Sequence, residues 1–236
     1  MTKSVLNRLL QNCVPKLRVA ILIACSSDMR IGEIVKLKKS DIDFTTSPTT
    51  IKVRRETTKT RETRFTHITT EASKSLSDYL TKNKTDSNSD DPFLFMHLKN
   101  KNDPAAYYKS MFSARQTFME KLRKTTDSIH ELSTKNENGQ NSIHFHAFRK
   151  WFKTQVTTAG QSDFAEALMV HKSIKLVYFK QSSEARMKLY QKMEPFLTIS
   201  DFTRVEKTMD ELQDQVQSLT MELEKVKQWR EIAFKY

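Results

Sequence analysis

Ile143-His144-Phe145-His146-Ala147-Phe148-Arg149-Lys150-Trp151-Phe152 sets a histidine and an arginine three residues apart in an apolar frame that suits a helix. At that spacing His146 and Arg149 project from one helical face. Taken alone, the stretch reads first as a half-exposed basic helix with a histidine in its core. Its neighbours along the chain decide between the two.

Composition narrows the partners. Forty Lys and Arg against 28 Asp and Glu give 236 residues a formal charge of +12 and a pI near 9.6. Such an excess favours a polyanion, because each phosphate contact releases bound counterions. Cys13 and Cys25 are the only cysteines, too few for a zinc site and suited to reduced, apolar packing. Gly32, Gly139 and Gly160 are the only glycines, so a Gly-rich phosphate cradle is excluded and side chains must hold any phosphate. No metal or cofactor is expected. The longest apolar run, Val19 to Cys25, is too short to cross a bilayer. No secretory signal is visible, and a cytoplasmic setting is expected.

The pattern along the chain predicts a mainly α-helical fold with a small antiparallel β-sheet. Helices are expected over 1–12, from Pro15 through the apolar stretch 17–25, over 31–39 and over 70–80. Residues 51–56 and 64–69 read as a hairpin with its tip at 57–61. A polar loop at 82–92 precedes a short buried segment at 93–96. A helix over 105–122 takes Tyr107, Tyr108, Met111, Phe112, Phe118 and Met119 as its apolar side. A polar, mobile insertion is expected at 125–141, then helices over 145–159, near 164–169 and over 183–193.

The tail has its own period. Val205, Met209, Leu212, Val216, Leu219, Leu223 and Val226 step by fours and threes, a heptad seam that predicts a C-terminal coiled-coil helix. Thr203 and Glu206 suit a capping box at its start. One such helix is marginal in water, so its seam needs a second copy of the chain or a groove on its own domain. Two domains follow: 1–200, and 201–236.

Upstream of the opening stretch stands Asp28-Met29-Arg30-Ile31-Gly32-Glu33-Ile34-Val35, and downstream Ala167-Leu168-Met169-Val170-His171-Lys172, then Tyr178-Phe179-Lys180. An Arg, a His-x-x-Arg, a His and a Tyr in that order resemble the tyrosine recombinase, or phage integrase, family. The last block, running into Glu194-Pro195-Phe196-Leu197, is similar to integrases of archaeal viruses and mobile elements. Residues 1–200 would then hold the catalytic-domain fold of that family.

The resemblance implies a role for each residue. Arg30 is the first arginine and Glu33 its supporting acid. Lys59, at the hairpin tip, matches the lysine that protonates the leaving hydroxyl. His146 and Arg149 match the His-x-x-Arg pair, His171 the second histidine and Tyr178 the nucleophile. Two guanidiniums suit the non-bridging oxygens of a phosphodiester, each offering a fixed charge and a planar fork. A tyrosine with an ordinary pKa of about 10 needs neighbouring cations or a base to attack. Site-specific cleavage and rejoining of double-stranded DNA through a 3′-phosphotyrosine, integrating or excising a mobile element, is the activity the resemblance implies, on DNA in the cytoplasm of a prokaryotic host, with self-association in a recombination synapse.

The sequence departs from the family pattern in four places. Ser27-Asp28-Met29 stands where a Gly usually precedes the first arginine. Val170 replaces the Gly before His171. Tyr178 follows His171 more closely than usual, and Tyr190 is the fallback nucleophile. The chain also opens almost directly on the catalytic block, either because a helical core-binding domain lies outside this sequence or because the natural product is truncated. Two rivals share the motifs: a type IB topoisomerase, which uses a similar residue set, and a non-catalytic DNA-binding or oligomerisation remnant.

Overall fold

Helix α2 (Pro15–Ser27) is the axis about which the fold is organised, because its sequence leaves it no solvent face. It is buried from Val19 through Ser27, and Pro15 starts it where a missing N–H costs nothing. The computed structural model describes residues 1–58, 61–82, 93–98, 103–135, 137, 139, 141–160, 182–200 and 216–223. The chain divides into two compact units, Met1–Ile199 and Ser200–Tyr236.

In the first unit α1 (Lys3–Gln11) is amphipathic and buries Leu6, Leu9 and Leu10, with the Thr2 hydroxyl capping the Val5 N–H. A three-stranded antiparallel sheet has the order β1 (Ile42–Asp43), β2 (Thr49–Val53), β3 (Arg64–Ile68). Its register pairs Ile51 with Thr66 and Val53 with Arg64. α2 packs against β3, against α4 (Thr70–Lys82) and against α6 (Phe145–Thr158). α5 (Pro104–Asp127) adds Phe118 and Leu122 to the core, and α7 (Ser183–Leu197) docks on α6 and adds Tyr190, Met193 and Leu197.

Several expectations need correction. The helix expected over 31–39 is a single turn, α3 (Ile31–Ile34). Beyond it Leu37 accepts the Leu94 N–H at 2.9 Å, Lys38 bridges to Phe93 and the Asp41 carboxylate takes the Lys38 N–H at 2.9 Å. Those tertiary and capping bonds displace the helical ones. Strand β1 was not expected; at two residues its period is unreadable. α5 runs on to Asp127, and a 3₁₀ turn at His130–Leu132 buries Leu132, so the 125–141 stretch is partly core. On α5, Tyr108, Phe112 and Met119 are exposed, leaving Tyr107, Met111 and Phe118 on the inner side.

In the second unit residues 216–223 are helical. Val216, Leu219 and Leu223 of the expected seam are exposed there, and its other members lie outside the described residues, as does the helix expected near 164–169. Cys13 and Cys25 are free thiols. Among the described residues no helix is long and apolar enough to cross a membrane.

Candidate active site

The site forms where α2 ends. Its C-cap, Asp28, takes the left-handed conformation at φ 56°, which turns the chain sharply so that Arg30 becomes the N-cap of α3. The Arg30 N–H donates to Glu33 Oε2 at 2.9 Å, and its guanidinium reaches Glu33 Oε1 at 3.4 Å. Its side chain stays 37% exposed, free to meet a ligand.

Glu33 is buried and serves a second arginine more closely. Arg64 on β3 donates from Nη1 and Nη2 at 3.1 and 2.8 Å. Burial opposes ionisation of Glu33, but the hydrogen bonds and charge of Arg64, with help from Arg30, outweigh it and hold the carboxyl below its usual 4.5. The supporting acid of the sequence reading thus ties the hairpin to the Arg30 turn.

His146 and Arg149 lie at the start of α6, whose N-terminal end carries the positive pole of the helix dipole. His146 is exposed, as is His144, the N-cap, and their rings stack with centroids 6.3 Å apart. Arg149 is only 6% exposed. Its Nε and Nη2 donate to the two Asp28 carboxylate oxygens, each at 2.8 Å.

Arg30, His146 and Arg149 line one cavity of about 450 Å³, with Lys36, Glu56, Thr57, Thr58 and Arg115 also on its wall. Among the described residues four cationic side chains face it against two carboxylates, Glu33 and Glu56, and Arg64 already engages Glu33. A cavity so charged suits a phosphodiester. Thr57 and Thr58 bring the hairpin tip to the wall; Lys59 itself, His171 and Tyr178 lie outside the described residues. Among the described residues no group of three or more His, Cys, Asp or Glu is placed to hold a metal.

Tyr190, the fallback nucleophile, is fully buried. Its hydroxyl donates to the Ser26 carbonyl at 2.7 Å, its ring meets His67 edge-on, and burial, with the Glu194 charge, pushes its pKa up. A phenol so placed is a core residue.

The sequence matches the phage integrase family model over residues 1–181. The chain belongs to the phage integrase family. No curated protein is significantly similar to this integrase-family chain in sequence. Among solved structures it is similar to the XerA recombinase, at a TM-score of 0.55 and 19% identity over 81% of this chain and 63% of that one. It is also similar to the integrase from mycobacterium phage Brujita, at 0.54 and 16% identity over 84% of this chain and 57% of the other. Identities this low speak for the fold, and the chain spans less than two thirds of either relative.

Sequence reasoning missed Arg64, Arg115 and the role of Asp28. The signal for Asp28 was present, as the departure from Gly before Arg30. Arg115 lies on the exposed side of α5, where nothing in its neighbours marks it.

Proposed function

We propose that this chain cleaves and rejoins DNA as a tyrosine recombinase, integrating or excising a mobile element of the archaeal-virus kind in a prokaryotic host. The observation that carries the reading is the convergence of Arg30 with the His146–Arg149 pair, more than a hundred residues further along the chain, on one basic cavity. In the reaction Tyr178 Oη attacks phosphorus, the bond from phosphorus to the 5′-oxygen breaks, and Lys59 gives that oxygen its proton. Arg30, Arg149, His146 and His171 stabilise the charge that gathers on the non-bridging oxygens. The phosphotyrosine keeps the energy of the broken bond, so a 5′-hydroxyl can reverse the step without ATP. The heptad tail brings protomers together in the synapse.

The test is incubation of the 236-residue chain with a pool of nicked suicide duplexes of randomised sequence, followed by mass spectrometry of the trapped adduct. A DNA adduct on Tyr178 with enrichment of a defined site supports the recombinase. An adduct without site enrichment favours a topoisomerase-like activity. DNA binding without any adduct leaves a binding module.

A further inference from the structure

Asp28 is an expensive residue where it stands. It is fully buried, and its φ of 56° lies in the left-handed region, which glycine enters freely and aspartate tolerates. A glycine there would make the same turn without placing a carboxylate in the interior. The carboxylate must therefore be compensated, and Arg149 does so with two charge-assisted bonds of 2.8 Å. Buried ion pairs of this kind seldom add more stability than apolar packing of the same volume. What such a pair fixes is geometry.

That geometry bears on the phosphate site. Asp28 stands two residues before Arg30, so one tight turn sets the course of the first arginine and, through its carboxylate, holds the second. We infer that Asp28 is a positioning residue: it clamps the Nε–Nη2 edge of Arg149, so that this guanidinium meets a phosphate with its remaining Nη1 corner. Arg30, half-buried and only loosely held by Glu33 at 3.4 Å, supplies the open fork. The two arginines then divide the work, one fixed and end-on, the other adaptable and bidentate. The inference rests on the recombinase reading for its catalytic consequence, and on the fold alone for the clamp.

The test uses Asp28→Gly, which suits the backbone, and Asp28→Asn, which keeps the shape and one acceptor. At saturating nicked duplex, Asp28→Gly forms adduct about 10- to 100-fold more slowly than the parent, with DNA affinity unchanged or tighter, and Asp28→Asn falls between. In an Arg149→Lys background Asp28→Gly adds no further loss, because Asp28 acts through Arg149. Parent-like cleavage by a folded Asp28→Gly, or losses that multiply in the double variant, would overturn the inference. If Asp28→Gly does not fold, Asp28→Asn carries the comparison. If the parent itself forms no adduct, the recombinase reading fails, and inorganic phosphate judges the clamp by NMR. Its addition then leaves the Arg149 Nε–H resonance in place in the parent and shifts it in Asp28→Asn. Equal shifts in both sink the clamp.

Discussion

The Tyr190 hydroxyl donates to the Ser26 carbonyl at 2.7 Å across 164 residues of chain, pinning α7 to the last turn of α2. Ser26 is two residues from Asp28, so the bond braces the turn on which the site is built. Tyr190→Phe removes the donor and leaves a buried carbonyl unpaired, at a cost of about 1–3 kcal/mol. The variant should melt lower and still form the DNA adduct. Tyr178→Phe should abolish the adduct with little change in melting. An adduct lost in Tyr190→Phe, in protein shown to be folded, would reverse the assignment.

Arg149→Lys should slow adduct formation by about 10²-fold or more. Lysine keeps the charge but cannot hold Asp28 with two bonds and present a third corner to phosphate. DNA affinity, set mainly by many phosphate contacts over the basic surface, should stay within about threefold. Single-turnover cleavage beside a filter-binding titration separates the two effects. A variant that cleaves at the parent rate removes Arg149 from the chemistry.

Stability should fall in mild acid through His67. Burial, with the Arg186 charge, lowers its pKa to about 4 from 6.5. Its Nδ1 lies 3.1 Å from the Thr50 hydroxyl, inside the sheet. The folded state therefore binds this proton less readily than the unfolded chain. The stability this site gives is full above pH 6.5 and is lost as the pH falls from there towards 4, about 3 kcal/mol in all. Denaturant titrations at pH 7 and pH 4.5 should show the loss, and His67→Gln should show a smaller one. Equal slopes in the two proteins would rule out His67 as the source.

Removing residues 201–236 should lower self-association and leave cleavage of a single site intact. Val216, Leu219 and Leu223 present apolar surface to solvent and take no part in the proposed chemistry. Sedimentation velocity of the full and shortened chains at matched concentration decides it. The same mass for both would deny the tail an assembly role.

What the sequence disclosed follows from the range of each signal. α2, α6 and the β2–β3 hairpin were legible because their periods are local and unbroken. Arg30, His146 and Arg149 were legible because a shared order of residues marks them. The α3 turn was not, since bonds from Leu94 and Asp41, set by tertiary contact, end a helix that the local pattern would continue. Tyr108 and Phe112 were misplaced on α5 because its aromatics outnumber its inner positions. Arg64 needed the register opposite Val53 before its reach to Glu33 could be seen. Asp28 read as a flaw in a motif until its partner, on a helix distant in sequence, was in place.

The strand β3 is bolted to the corner between α2 and α3 at two points. Arg64 grips Glu33, and the Thr66 hydroxyl donates to the Ser27 carbonyl at 3.0 Å. Arg54 adds a third tie from the end of β2, donating to the Lys36 carbonyl at 2.7 Å. The sheet cannot lift away without stripping partners from the turn that carries Arg30, nor can that turn fray alone. In native-state hydrogen exchange the amides of β3 and of residues 28–37 should therefore open as one unit, at one free energy. The hairpin and the first arginine are, in that sense, a single mechanical part.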